Sequence, residues 1–402
     1  LLNNSNENDN VDSRIDWQII ICVLLLALIG IGSIFIAVSH DSYSGAIVKQ
    51  IITQFLWYTI GTIAIVIIMQ FDSEQLWKIA PVIYWGALLM LASLLVLYSR
   101  SFYIQTGAKS WFQLGSLTFQ PAEVMKPAFV VMLARVIVEH NRNYGEHLVK
   151  TDFWLLLKMI LWTLPICVLL KVENDFGTML VFFAMLGGLA IVSGITWKIL
   201  VPGIISFITI GGTALILVIT SGGRKILEAV GFQSYQFDRV NDWLDPSNPS
   251  NLSGSGYQLW QSIKAVGSGG FGGTGFNVSH VYVPVRESDM IFSVIGENFG
   301  FIGGLVLIGL YFFLIYRMIR VTFETKNIYY AYIATGIIMM ILFHVFENIG
   351  MSIGLLPLTG IPLPFVSQGG SALIGNMIGI GLIMSMQYHN YGSMFSSSKD
   401  FS

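Results

Sequence analysis

Residues 286–316 read RESDMIFSVIGENFGFIGGLVLIGLYFFLIY. Four polar residues, Arg286-Glu287-Ser288-Asp289, abut an apolar run from Met290 to Tyr316. Such a run can cross the ~30 Å hydrocarbon core of a bilayer, which takes roughly 20 apolar residues. Comparable runs recur at Trp17–Val38, Ile51–Met69, Leu76–Leu97, Pro121–Val138, Trp154–Leu170, Phe176–Ser193, Trp197–Ile219, Ile328–Ile349 and Ser371–Tyr388. The expected fold class is an all-α polytopic membrane protein with about ten transmembrane helices. Composition agrees: 54% hydrophobic residues, 11% charged residues and a mean hydropathy of +0.70 exclude an ordinary soluble globule.

Trp17–Val38 is too long for a cleaved signal peptide and lacks a small-residue cleavage site. The chain opens on Leu1 rather than Met, so an extreme N-terminus that is missing or altered is expected. The net charge of -2 and the lack of a basic block give no reason to expect a nucleic-acid partner. Lys and Arg set the orientation. With the N-terminus inside, the short cytoplasmic segments collect Lys78, Arg135, Arg142, Lys150, Lys158, Lys198, Arg317, Arg320 and Lys326, against Lys49, Arg100, Lys109 and Lys171 outside. Both termini are therefore expected in the cytoplasm. Cys22 and Cys167 lie in apolar runs, where a free Cys serves as a small hydrophobe, and two such residues suggest neither a disulfide framework nor a metal site.

A single membrane domain over residues 1–402 is expected, interrupted by one large extracytoplasmic loop over residues 220–289. Trp243, Leu244, Tyr257, Leu259, Trp260 and Ile263 give that loop enough apolar surface to fold against the bundle. Residues 355–365, LLPLTGIPLPF, are apolar enough for membrane depth but too rich in Pro for a helix. Irregular backbone survives there only when packed in protein or lining a cavity, so a cavity open to the outer side or laterally is expected. Asp289 stands where water meets hydrocarbon. A carboxylate is costly there, which makes Asp289 a functional-site candidate.

Other motifs carry competing readings. Gly267, Gly269 and Gly272 match GxGxxG, but no βαβ unit surrounds them, so a flexible glycine turn is the preferred reading over an anion-binding nest. Glu123 and Lys126, three apart, can pair on one helix face, and Asp175 can reach the same cluster; a helix-locking ion pair and a substrate role stand about even. His344 and Glu347 share a face, and hydrogen bonding within the bundle outweighs a metal pair. Trp17, Trp57 and Trp111 fit interfacial anchors by position. Arg100, Lys109, Arg224, Arg239 and Arg286 fall on the segments expected around the cavity and suit an anionic head group.

Five motifs taken together resemble the SEDS proteins of bacterial cell-wall synthesis: residues 107–111 (GAKSW), 119–126 (FQPAEVMK), 174–178 (NDFGT), 283–292 (VPVRESDMIF) and 354–371 (GLLPLTGIPLPFVSQGGS). They cover nearly the whole chain in order. Ala-Val-Ser-His at Ala37 to His40, Arg286-Glu287-Ser288-Asp289 and Gln368 resemble the elongation branch, as in a Gram-positive bacterium, more than the division branch. Phe176 stands where the family usually has Leu, a conservative departure.

The resemblance implies a peptidoglycan glycosyltransferase of the cytoplasmic membrane that polymerises lipid II on the outer side of that membrane, with a class B penicillin-binding protein and further elongation-complex membrane proteins as partners. It implies that Asp289 is essential, that Trp111, Glu123, Lys126 and Asp175 matter, that Ser367 and Ser371 support the site, and that a divalent cation, Mg²⁺ or Mn²⁺, assists. An inverting transfer from an α-linked pyrophosphate then needs a base, expected at Asp289, where partial burial raises the proton affinity and nearby Arg286 lowers it, and cations drawn from Arg100, Lys109, Arg224 and Arg239 for the leaving group. The rival readings are a lipid II flippase, which ten helices with charges at depth would also suit, and a scaffold that only recruits a synthase.

Overall fold

A computed structural model describes residues 14–40, 46–115, 117–229, 234–248 and 254–393. The elements run α1 (Trp17–Ser39), α2 (Ala46–Ile68), α3 (Ser73–Leu97), α4 (Arg100–Thr106), β1 (Phe112–Leu114), β2 (Leu117–Phe119), α5 (Pro121–Asn143), α6 (Val149–Glu173), α7 (Phe176–Val192), α8 (Trp197–Ile219), α9 (Ser221–Ala229), α10 (Ser234–Leu244), α11 (Ser255–Ser268), α12 (Ile291–Thr325), α13 (Ile328–Ser352) and α14 (Gly370–Ser393). All ten apolar runs of the sequence fall on helices. Eight of these are long and apolar enough to cross a membrane. The other two are α7, with 17 residues, and α5, which carries Glu123 and Lys126. The two chain termini lie outside the described residues.

The exceptional composition of α5 follows from its position. It packs against α3, α6, α7, α13 and α14, and nearly every residue from Pro121 to Val138 is buried, so its charges face protein and cavity rather than lipid. Pro121 starts it at a position where a missing N–H costs nothing. α8 is the opposite case. Only Leu200 and Val218 of its 23 residues are buried, and it joins the bundle mainly through α6, α9 and α10. Local caps set the remaining ends. Asp72 and Gln75 form a capping box on α3, Asn327 caps α13, and Asp175 accepts from the Thr178 amide to cap α7. Asp16 caps α1 and also pairs with Arg317, tying α1 to α12.

The glycine segment after α11 is a close-packed crossing rather than a flexible turn. α12 breaks at Gly300, whose φ of 60° and ψ of -155° are not helical. The break strands the carbonyls of Glu297 and Asn298 and the amides of Phe301 and Ile302. The glycine segment satisfies all four: Thr274 and Gly275 amides donate to the two carbonyls, and the two amides donate to Gly270 and Phe271 carbonyls. Such replacement is what permits a broken helix at membrane depth. A Cβ on Gly269 or Gly273 would overlap the Gly296 or Asn298 carbonyl, so the glycines serve close backbone approach.

The long loop folds against the bundle as its apolar content suggests. Leu259 is buried, and Trp243 Nε1 donates to the Gly354 carbonyl at 3.1 Å. The Pro-rich stretch between α13 and α14 is a non-helical strap inside the protein. Tyr58 of α2 donates to the Phe365 carbonyl at 2.6 Å and Tyr311 of α12 to the Pro364 carbonyl at 2.5 Å, so helices on two sides satisfy its backbone.

Candidate active site

A cavity of 1550 Å³ opens at the loop-bearing end of the bundle, with walls from α2, α5, α7, α8, α10, the strap and the segment preceding α12. Asp289, Glu287, Asp175, Glu123, Lys126, Arg239 and Trp111 all line it, as do Asp238 and Asp242. The sequence motifs thus converge on one wall system although Gly107 and Gly370, which both line it, lie about 260 residues apart in the chain.

Asp289 sits in a tight turn. Val285 adopts φ +54°, a left-handed conformation costing a β-branched residue about 1–3 kcal/mol, and its carbonyl accepts from the Ser288 amide at 3.2 Å. Ser367 Oγ donates to the Ser288 carbonyl at 2.7 Å and accepts from the Leu363 amide at 2.9 Å. The Gln368 amide donates to the Glu287 carbonyl at 2.9 Å. Asn348 of α13 donates to the Asp289 carbonyl at 2.7 Å and to the Ile361 carbonyl at 2.8 Å. Three successive carbonyls of residues 287–289 are thereby held, two by the strap directly and the third through Asn348 of α13, which also bonds the strap, while Asp289 lines the cavity. The strain at Val285 is the local cost of that placement.

Burial raises the Asp289 carboxyl to about 6 from an ordinary 3.8, with Glu287 adding to the rise and a hydrogen bond from Ser288 and the charge of Arg239 opposing it. Ser288 Oγ donates to Oδ1 at 2.9 Å. A carboxylate with this proton affinity is mostly ionised at neutral pH yet able to hold a proton, as a general base requires.

The expected neighbours divide. Arg239 lines the cavity and acts on Asp289, the part expected of Arg286. Arg286 is buried to one side, donating to Ser279 at 2.8 Å and lying over the Tyr282 ring, and so braces the loop. Arg100 lines a separate surface pocket with Ser99, Ser101 and Gln113. Lys109 Nζ stands 5.2 Å and 5.6 Å from the Tyr98 and Tyr103 ring centres. Arg224 donates to the Val218 carbonyl at 2.7 Å and to Asn241 at 2.9 Å. Of the four cations expected at a leaving group, Arg239 is the one on the cavity wall.

Glu123 and Lys126 pair at 2.7 Å. Asp175 joins the same cavity but accepts from Gln120 at 2.7 Å rather than from Lys126. Ser371 accepts from the Gln120 amide at 2.8 Å, so Ser367 and Ser371 hold backbone in place and do not themselves line the cavity. Trp111 stacks on Phe102 at 5.9 Å and forms part of the mouth. Trp57, expected only as an interfacial anchor, lines the cavity and lies so close under Gly370 that a Cβ there would overlap it. Sequence reasoning missed Asn348, Gln120, Tyr58 and Tyr311. A fully buried Asn in an apolar run was the available signal, since polar side chains at that depth need a partner. Among the described residues no three His, Cys, Asp or Glu side chains converge as metal ligands.

Comparison with known proteins follows the same lines. The FtsW/RodA/SpoVE cell cycle protein model matches residues 16–392. Peptidoglycan glycosyltransferase MrdB of Escherichia coli K12 is 34% identical over 349 residues, 84% of this chain and 86% of MrdB. Stage V sporulation protein E of Bacillus subtilis 168 is 31% identical over 393 residues, 94% of this chain and 98% of the relative. Among solved structures, a chain from a peptidoglycan synthase complex that coordinates polymerization and crosslinking superposes with a TM-score of 0.75 at 25% identity, covering 94% of this chain and 98% of that one. The rod shape determining protein RodA of Thermus thermophilus shares the fold with a TM-score of 0.65 at 24% identity, over 94% of this chain and 98% of that one. This multi-pass membrane chain belongs to the SEDS family, the FtsW/RodA/SpoVE cell cycle proteins.

Proposed function

We propose that the chain is a peptidoglycan glycosyltransferase that polymerises lipid II into β-1,4-linked glycan strands and releases undecaprenyl pyrophosphate during cell elongation and shape maintenance. The observation that carries the reading is Asp289: a carboxylate raised to about 6, fixed by its backbone at three carbonyls, on the wall of a 1550 Å³ cavity. The relatives named peptidoglycan glycosyltransferase support the reaction class.

The donor sugar is α-linked to pyrophosphate and the product is β-linked, so the acceptor 4-hydroxyl attacks C1 from the face opposite the leaving group. Asp289 takes the hydroxyl proton as the C1–O bond forms and the bond to pyrophosphate breaks. The ionised oxygens of the leaving group need cations, and Arg239 and Lys126 are those on the cavity wall. Trp111 and Phe102 supply an aromatic face at the mouth on which a sugar ring can rest. Mg²⁺ or Mn²⁺ fits poorly as an all-protein site, because no three ligating side chains converge among the described residues. A divalent cation would arrive with the phosphate oxygens.

The cavity opens on the extracytoplasmic side in this reading, with both termini in the cytoplasm, as the Lys and Arg distribution favours. Its partner there is a class B penicillin-binding protein that cross-links the strands, within an assembly of elongation-complex membrane proteins. The similarity to a chain of a polymerising and crosslinking complex supports that pairing. The test is lipid II polymerisation by the purified chain, with and without the transpeptidase and with chelator. Polymer from wild type and none from Asp289→Asn is expected. Equal rates for the two would remove the reading, and transport without polymer would replace it with the flippase.

A further inference from the structure

A charged cluster at the cavity wall has a geometry that the transfer reaction above leaves unexplained. Lys126 Nζ lies 2.7 Å from Oε1 of Glu123 and 3.0 Å from Nε2 of His344. All three side chains are almost wholly buried, at 1% exposure for Lys126 and His344 and 3% for Glu123. An ammonium group carries three N–H donors and no acceptor. Glu123 takes one. His344 takes the second by offering the Nε2 lone pair, which assigns its ring proton to Nδ1. The third N–H has no acceptor among the described residues, and Lys126 lines the cavity. The second oxygen of Glu123 is turned to α14, 3.3 Å from where a Cβ on Gly375 would stand.

We propose that His344 is a positioning residue that, together with Glu123, locks the Lys126 ammonium with its third N–H aimed into the cavity as a seat for a phosphate oxygen. The inference rests on the glycosyltransferase reading and names the part of that site which meets the pyrophosphate. A lysine ammonium rotates freely about its last bond, and two fixed acceptors remove that freedom before the ligand arrives. An aligned donor then gives a charge-assisted hydrogen bond without an ordering cost at binding. The choice of His is informative. A second carboxylate in its place would leave the cluster net negative and repel an anion, whereas a neutral imidazole orients the lysine and adds no charge.

Inorganic pyrophosphate is the probe, used on the full-length chain in detergent. Wild type should be stabilised against thermal unfolding by pyrophosphate and inhibited by it in lipid II polymerisation. His344→Leu should weaken that inhibition and raise the KM for lipid II about tenfold or more, equivalent to losing one aligned hydrogen bond, with a smaller effect on kcat. His344→Gln places an amide oxygen where Nε2 was and should recover most of the binding. His344→Asn reaches the Nδ1 position instead and should not. Where His344→Leu fails to fold, the Gln and Asn pair decides. Equal behaviour of those two, or a pyrophosphate response unchanged in His344→Leu, overturns the proposal. Absence of polymer from wild type defeats the functional reading separately, because pyrophosphate stabilisation is read without turnover.

Discussion

A Cβ placed on Gly360 would stand 3.3 Å from Oδ2 of Asp289, and Gly360 has φ +79°. The strap therefore meets the carboxylate with bare backbone at a position that L side chains rarely adopt. Gly360→Ala meets two costs: about 1–2 kcal/mol of left-handed strain, and displacement of the carboxylate by a few tenths of an ångström. The expected result is at least a tenfold loss of polymerisation rate in a protein whose melting temperature falls only modestly. A rate within twofold of wild type would show that the strap does not set the carboxylate position.

Asn348 holds the backbone of the same aspartate. Its amide nitrogen spans the Asp289 and Ile361 carbonyls, and the residue is fully buried. Asn348→Leu keeps the volume but leaves two buried carbonyls without their donor, at about 1–3 kcal/mol each. The expected outcome is a destabilised chain whose kcat falls more than its KM rises, because the turn loses its register rather than its substrate contacts. Thermal melts alongside steady-state kinetics separate these effects, and an unchanged kcat would reduce Asn348 to a bundle contact.

Much of this arrangement could be read from sequence. Every apolar run became a helix, because roughly 20 apolar residues have few alternatives in a bilayer. The strap was identifiable from Pro357, Pro362 and Pro364, and Asp289 from the solvation cost of a carboxylate beside hydrocarbon. Direction was not. Nothing in the residue types told Arg239 from Arg100, Lys109 or Arg224, since long basic side chains reach several partners and only tertiary packing selects one. The glycine segment misled for a related reason. Gly269 and Gly273 look like flexibility until the break at Gly300 is seen, after which they are the contacts that close it.

The raised proton affinity of Asp289 predicts a stability effect opposite to the activity effect. Its folded value of about 6 exceeds the ordinary 3.8, so the folded chain binds this proton more tightly than the unfolded chain. That contribution is complete below about pH 4 and is lost as the pH rises through 6. At pH 8 the ionised carboxylate costs the fold about 1–2 kcal/mol, after discounting for its open face to the cavity. Asp289→Asn should lose 10²-fold or more of the rate, as removal of a general base does, yet melt at a higher temperature than wild type at pH 8 and at a similar one near pH 4. A variant that is less stable than wild type at pH 8 contradicts the burial of the charge.

Arg239 is the cation that restrains that proton affinity. Removing it should let the Asp289 carboxyl rise further, so Arg239→Ala moves the acidic limb of the pH–rate profile upward from about 6 toward neutrality. At pH 6.5 the variant then loses more activity than at pH 8.5, where both proteins hold Asp289 ionised. Arg239→Lys keeps the charge but not the planar fork of donors, and should leave the limb in place while weakening substrate binding if the guanidinium also meets phosphate. The full profile of kcat/KM for the three proteins separates the two roles. A limb that stays near 6 in Arg239→Ala would mean that the guanidinium serves the substrate alone, and that burial with Glu287 and Ser288 sets the basicity of Asp289.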